Sequence, residues 1–137
     1  MTPAPLLDTH AWVWWVDRDV RLGMRTIEAL DRLPPDNRPS LCDISLWEVA
    51  MLVERGRLSF GVPLADWLAA AAHPNSVRLV GVSPAIAAEV AALPKRFHRD
   101  PADRLIVATC RVLGLPLVTR DRRITVSRLT RRWTPAA

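Results

Sequence analysis

Leu-Leu-Asp-Thr-His-Ala-Trp-Val-Trp-Trp-Val, residues 6–16, contains the structural unit from which the fold can be predicted. Two prolines just before it keep the chain extended, which predicts a short apolar strand over Leu6-Leu7 that ends at Asp8. The apolar stretch over residues 9–16 predicts a helix immediately afterwards. A strand, an acid and a helix therefore follow one another without a linker.

The same alternation of short strands and helices continues along the chain. Residues 45–55 carry apolar side chains at positions 46, 49, 50 and 53, the spacing of a buried helix face. Proline and glycine predict where the other helices begin and end, and the basic tail over residues 124–135 is expected to hold one last short strand. The predicted strands span 40–44, 77–82 and 117–119, and the predicted helices 23–33, 45–55, 63–72, 84–93 and 100–114. This order predicts an α/β fold with a mainly parallel sheet of four to five strands, covered on both faces.

Length and composition predict one domain spanning residues 1–137. Half of the residues are apolar, enough for a genuine core. No apolar run is long enough to cross a membrane, and the first residues do not resemble a secretory signal. Cys42 and Cys110 both lie in apolar surroundings and are expected to be buried thiols rather than a disulfide. These features together predict a cytoplasmic protein that does not contact a membrane.

The charge is basic and consists almost entirely of arginine. The chain has 19 Lys and Arg against 14 Asp and Glu, a net charge of +5, and Lys95 is its single lysine. Arginine suits bidentate contact with phosphate or carboxylate. A GC-rich genome or an acidic protein partner explains the bias equally well, so the charge favours nucleic acid only modestly.

Four acids in this basic chain are predicted to meet at one edge of the sheet. Asp8 and Asp121 follow directly after predicted strands, whereas Glu48 and Asp103 lie in the first turns of predicted helices. Ligands of such folds bind at the carboxyl ends of the strands. Clustered carboxylates in a positive protein are costly unless a divalent cation balances them, which predicts a Mg²⁺ or Mn²⁺ site. Three hydroxyl residues next to these acids are expected to orient ligands or water, namely Thr9, Ser45 and Thr119.

Each acid also has a purely structural interpretation. Ser45 and Glu48 have the spacing of a capping box, and Asp100 can cap a helix with Pro101 in its first turn. Asp8 can cap the helix that follows it, and Asp121 can sit in an Asx turn. Taken one at a time, the acids fit these interpretations well. Helix capping does not explain why all four are expected at the same edge.

Other chemistries find less support in the sequence. A zinc site needs His or Cys ligands at suitable spacing, but the three His and two Cys are scattered. There is neither a Gly-x-Ser-x-Gly nucleophile motif nor a glycine-rich phosphate loop. Receiver-type signalling domains use an adjacent pair of acids and a late lysine, whereas Asp8 has no acidic neighbour. The tryptophans at 12, 14 and 15 cannot all face a core from one helix, so at least one is expected to meet solvent or a partner.

With these motifs in this order, the chain resembles PIN-domain proteins, specifically the VapC-type toxins of bacterial toxin–antitoxin pairs. The matching segments run from residue 6 to residue 121: Leu-Leu-Asp-Thr-His-Ala-Trp, Ser-x-x-Trp-Glu-Val-Ala, His-Arg-Asp-Pro-Ala-Asp-Arg-Leu-Ile-Val-Ala-Thr and Leu-Val-Thr-Arg-Asp. The resemblance implies a three-layer α/β/α sandwich and an endoribonuclease that uses Mg²⁺ or Mn²⁺. It assigns the acidic quartet to Asp8, Glu48, Asp103 and Asp121, with Asp100 as an additional acid.

The resemblance also implies binding partners. These are a cognate VapB-type antitoxin whose tail lies in a groove beside the site, an RNA substrate and a second copy of the toxin. Two other functions stay open at this point. One is a non-cleaving PIN-fold module that binds RNA or protein, and the other is a metal-dependent phosphoesterase that acts on DNA.

Overall fold

One parallel sheet lies at the centre of the computed structural model, which describes residues 3–135. The strand order is β3-β2-β1-β4, every neighbouring pair is parallel, and Leu6 lies opposite both Ser40 and Leu117. Within the described residues the strands are β1 (Leu6–Leu7), β2 (Ser40–Cys42), β3 (Arg78–Val80) and β4 (Leu117–Val118). The predicted parallel sheet is confirmed, with four strands.

Seven α-helices connect and cover the strands of residues 3–135. They are α1 (Thr9–Val16), α2 (Met24–Asp31), α3 (Ile44–Glu54), α4 (Leu64–Ala71), α5 (Pro84–Ala92), α6 (Pro101–Leu113) and α7 (Arg122–Thr125). Short 3₁₀ turns occur at Val20–Leu22 and Pro35–Asn37. Most of the predicted helices lie within two residues of these bounds.

The strands predicted over 77–82 and 117–119 are shorter in the structure, at Arg78–Val80 and Leu117–Val118, and two other predicted strands also differ. The strand predicted over residues 40–44 ends at Cys42, because α3 already begins at Ile44. The strand predicted within the basic tail is replaced by α7 and a single β-bridge between Leu117 and Arg132. A side-chain oxygen of Asp121 accepts a hydrogen bond from the backbone of Arg123, which favours the start of a helix at this point.

Alternating strand residues divide the core into two clusters, one on each face of the sheet. Leu7 and Val118 pack on one face with buried residues of α1 to α4. Leu6 and Leu117 pack on the other face with buried residues of α5, α6 and α7. Because both faces are covered by helices, the architecture is the expected α/β/α sandwich.

The core contains both cysteines and one of the three tryptophans of α1. Cys42 and Cys110 are free and buried, as predicted. Trp12 is fully buried, whereas Trp14 and Trp15 are only partly covered. Among residues 3–135, no helix combines the length and the apolar character that crossing a membrane requires.

Candidate metal centre

A cavity of about 310 Å³ opens at the carboxyl ends of β1 and β4 and is lined by five acids. These acids are Asp8, Glu48, Asp100, Asp103 and Asp121, and the other lining residues are Thr9, His10, Trp14, Arg120 and Arg123. The structure therefore brings the four predicted acids and Asp100 to one place. Thr9 lines the cavity with them, whereas Thr119 and Ser45 lie behind it.

Asp8 is held by both elements that flank it. One carboxylate oxygen accepts a hydrogen bond of 2.8 Å from the backbone of Ala11 and so caps α1. The other oxygen accepts a hydrogen bond from the hydroxyl of Thr119, which follows β4. Asp8 is thus a helix cap and a cavity residue at once, and the pairing of β1 with β4 determines where its carboxylate lies.

Glu48 reaches the cavity from the buried face of α3, but it does not belong to a capping box. That prediction was wrong because α3 begins at Ile44, so that Ser45 lies inside the helix rather than at its cap. The Ser45 hydroxyl instead bonds to the Thr9 hydroxyl at 2.8 Å. This bond ties α3 to α1 and thereby fixes the position of Glu48 relative to Asp8.

Asp100 and Asp103 are both contributed by the start of α6. Asp100 caps the helix, and its side chain accepts a hydrogen bond of 3.1 Å from the backbone of Asp103. Pro101 occupies the first turn, as the sequence predicted. Only 15 % of the Asp103 side chain is exposed, so its carboxylate is largely sheltered from solvent.

Two arginines line the cavity and differ in what they contact. The Nη2 atom of Arg123 lies 2.9 Å from a carboxylate oxygen of Asp121 and 3.9 Å from one of Asp103. The guanidinium of Arg120 instead donates to the carbonyl of Leu22. Arg123 is therefore the cation that partly balances the acids in the protein alone.

The acids respond strongly to burial and to one another. Burial and the neighbouring carboxylates, first of all Asp100, raise the pKa of Asp103 to about 7. Burial raises the pKa of Asp8 to about 6, and burial also raises the pKa of Glu48. Burial acts in the same direction on Asp121, but hydrogen bonds and charge from Arg123 outweigh it and leave the pKa of Asp121 below its usual value. The ionised carboxylates of the cavity are therefore only partly stabilised by positive charge from the protein.

His98 belongs to this cluster, although it was not among the site residues predicted from the sequence. Its Nε2 atom lies 3.2 Å from a carboxylate oxygen of Asp103 without being aligned for a hydrogen bond. Possible ligand atoms of His98, Asp103 and Asp121 all lie within 4.8 Å of one another. Burial and the charge of Arg123 lower the pKa of His98, which keeps its imidazole neutral and able to bind a metal. The available signal was its position two residues before Asp100.

The donor set fits a divalent cation. Carboxylate oxygens dominate, and hard or borderline ions such as Mg²⁺ and Mn²⁺ prefer such ligands. The raised pKa values of Asp8, caused chiefly by burial, and of Asp103, caused by burial and by neighbouring carboxylates, are compatible with this, because a bound cation would stabilise both ionised groups. A single imidazole among these oxygens is compatible with Mn²⁺.

Comparisons with known proteins identify a matching family and similar chains. The PIN domain family model matches residues 6–129. The chain is 40 % identical over 119 residues to Ribonuclease VapC22 of Mycobacterium tuberculosis (strain ATCC 25618 / H37Rv). The aligned region covers 87 % of this chain and 88 % of that protein. The fold of the present chain resembles that of a chain in a solved toxin–antitoxin complex from Klebsiella pneumoniae, with a TM-score of 0.64 at 20 % identity. The match covers 97 % of this chain and 98 % of the other.

Proposed function

The chain belongs to the PIN-domain family, and from that premise we propose that it is a VapC-type toxin, a metal-dependent endoribonuclease that cleaves RNA phosphodiester bonds. The observation that carries this proposal is the cavity in which five acids meet. The 40 % identity to a ribonuclease over most of both chains supports the same activity. A single domain over residues 1–137 and a cytoplasmic location are part of the proposal.

Asp8, Glu48, Asp103 and Asp121 are proposed to hold Mg²⁺ or Mn²⁺, with Asp100 and His98 beside them. A divalent ion bound there would supply Lewis acidity, lowering the pKa of water and stabilising negative charge on a phosphate. The carboxylates must lose their protons to bind it. The raised pKa of Asp103, about 7, makes this the group whose protonation competes most directly with the metal near neutral pH.

The surrounding residues orient this set. The Thr119 hydroxyl holds one oxygen of Asp8, and the bond between Thr9 and Ser45 holds α3 in place. Arg120 and Arg123 add positive charge at the wall of the cavity, where an RNA phosphate would approach the acids. Such charges reduce the repulsion between the substrate backbone and the carboxylates.

The test is cleavage of single-stranded RNA by purified protein in Mn²⁺ or Mg²⁺, compared with EDTA. We expect cleavage that EDTA stops and that the Asp103→Asn variant loses. A single-stranded DNA of the same sequence serves as the comparison, and preferred cleavage of DNA would replace the ribonuclease with a DNA-specific phosphoesterase. RNA binding without cleavage in either metal would favour the non-cleaving module.

We further propose a VapB-type antitoxin and a second copy of the chain as protein partners. Exposed apolar side chains support a protein interface: Trp47 is 54 % exposed on α3 next to Glu48, and Val20 and Met24 are exposed beyond α1. If the neighbouring open reading frame encodes a small DNA-binding protein, its co-expression with this chain should yield a stable complex that does not cleave RNA. Light scattering of the protein alone measures whether it forms a dimer.

A further inference from the structure

A second cavity adjoins the acidic one and has a different character. This lateral pocket of about 350 Å³ is lined by Arg96, Phe97, His98, Arg123, Val126 and Leu129, among others. Arg123 lines both cavities, and Nε2 of His98 lies 3.2 Å from Asp103. The lateral pocket therefore adjoins the acids through Arg123, which lines both cavities, and through His98, which contacts Asp103.

The floor of the lateral pocket is apolar and firmly held. Phe97 and Leu129 pack in the core cluster of α5 and α6, so the floor of the pocket is part of the folded core. Val126, at its mouth, is 66 % exposed and makes no comparable contribution to the core. The volume lies within the range of small-ligand sites, roughly 300–1,000 Å³.

Positive charge surrounds this apolar floor. Arg96 is exposed, and within residues 3–135 no carboxylate forms an ion pair with it. Arg123 lies at the boundary with the acidic cavity, where Asp121 is its main partner. An apolar pocket edged by guanidinium groups complements a nucleotide, whose base is flat and weakly polar while its phosphate is anionic.

We propose that the lateral pocket binds the base of one unpaired nucleotide next to the scissile phosphate of RNA, with Arg96 and Arg123 contacting phosphates; this rests on the proposed ribonuclease activity. The Ser127 hydroxyl in the pocket already donates to the carbonyl of Ile124 and accepts from the backbone of Leu129. Among the lining side chains, the arginines are assigned to phosphates and Nε2 of His98 faces Asp103. The pocket therefore selects an unpaired base over a paired one more than one base over another.

The test combines a protein variant with an altered substrate. Val126→Trp fills the mouth of the pocket at an exposed position, and Val112→Trp is the matched control in another cavity near the far end of α6. Each protein cleaves, in Mn²⁺, a short single-stranded RNA whose cleaved bond has been mapped. In a series of substrates, one base at a time is replaced by an abasic site.

For the wild type and Val112→Trp, we expect one abasic position flanking the cleaved bond to lower kcat/KM about tenfold, the scale of one stacked base. Val126→Trp should lower kcat/KM for the intact RNA by a similar factor and show almost no further loss at that abasic position. Arg96→Ala should raise KM and weaken its dependence on salt, with kcat unchanged. Unchanged Mn²⁺ binding and Tm would show that Val126→Trp leaves the fold and the acids intact.

The same abasic profile in all three proteins would overturn the nucleotide pocket while leaving the ribonuclease in place. Val126→Trp could instead lose binding to the antitoxin while its cleavage of the abasic substrates stays like that of the wild type. That result would also overturn the nucleotide pocket, in favour of a groove that binds a peptide. If the wild type cleaves no RNA in Mn²⁺ or Mg²⁺, the proposed function fails and the nucleotide pocket fails with it.

Discussion

At the scale of single residues, Asp103 is the group on which the charge of the cavity acts most strongly. Its pKa is raised from 3.8 to about 7, first by burial and then by the acids around it. Between pH 3.8 and about pH 7, the Asp103 carboxyl of the folded protein still holds a proton, whereas the same carboxyl of the unfolded chain has already released it. The contribution of Asp103 to the stability of the metal-free protein is therefore present at pH 4 and is lost as the pH rises through about 7.

Asp103→Asn should consequently stabilise the metal-free protein, and more so at higher pH. In EDTA, we expect a Tm close to that of the wild type at pH 4 and clearly above it at pH 8, since each unit of pKa shift corresponds to about 1.4 kcal/mol. Thermal unfolding across this pH range measures the difference. Asp36→Asn, at an exposed position, is the control and should show no such trend. A lower Tm for Asp103→Asn at every pH would assign the side chain a mainly structural role.

Arg123 acts at the same scale, as a cation that competes with a metal. Its guanidinium contacts Asp121 and approaches Asp103, so its removal should strengthen Mn²⁺ binding to the RNA-free protein. Because 63 % of its side chain is exposed, the effect of Arg123→Gln should be modest, about two- to fivefold in Kd. Calorimetric titration measures it. Arg122→Gln changes the exposed neighbour and should leave Kd unchanged, whereas weaker binding by Arg123→Gln would contradict the competition.

At the scale of elements, the first turn of α6 combines a helix cap with a cavity wall. Asp100→Asn retains the side-chain oxygen that accepts from the backbone of Asp103, whereas Asp100→Ala removes it. We expect Asp100→Ala to lose about 1 kcal/mol of unfolding free energy relative to Asp100→Asn. Both variants remove a negative charge and should bind Mn²⁺ more weakly. Urea unfolding and Mn²⁺ titration separate the two roles, and equal stability of both variants would show that the cap contributes little.

The junction before α2 is another element that positions the site. Gly23 has a φ of +97°, and a Cβ there would lie 2.7 Å from the guanidinium of Arg120, which donates to the carbonyl of Leu22. Gly23→Ala should therefore destabilise the protein by about 2 kcal/mol through backbone strain and displacement of Arg120. Gly61→Ala is the control, because its added Cβ meets no atom within 4 Å. Equal midpoints in urea for the two variants would exclude this strain.

Much of this element structure was predictable from local sequence. Prolines and glycines punctuate the helices, and short apolar runs before acids correctly predicted β1 and β4. The capping box at Ser45 was wrong because its spacing cannot show that the partner of that hydroxyl lies far away, on Thr9. Arg123 was missed because its approach to Asp103 depends on how α6 and α7 are placed, which no periodicity encodes. His98 was missed because its contact with Asp103 depends on the path of the loop before α6.

At the scale of the whole molecule, the balance between acids and metal should appear in global stability. Mn²⁺ binds only the folded arrangement, so it should raise Tm with concentration. The increase should be larger at pH 8 than at pH 6, because protons on Asp103 and Asp8 compete with the metal at the lower pH. Differential scanning calorimetry at both pH values measures it. An increase that is equal at the two pH values would mean that these carboxylates do not bind the ion.

The pairing of β1 with β4 has a consequence for synthesis of the chain. Asp8 emerges from the ribosome early, but Thr119, which holds its carboxylate, and Asp121, which completes the cavity, are added more than a hundred residues later. A nascent polypeptide therefore lacks the complete set of these carboxylates during most of its translation. The acidic cavity can form only after β4 has been made and has paired with β1.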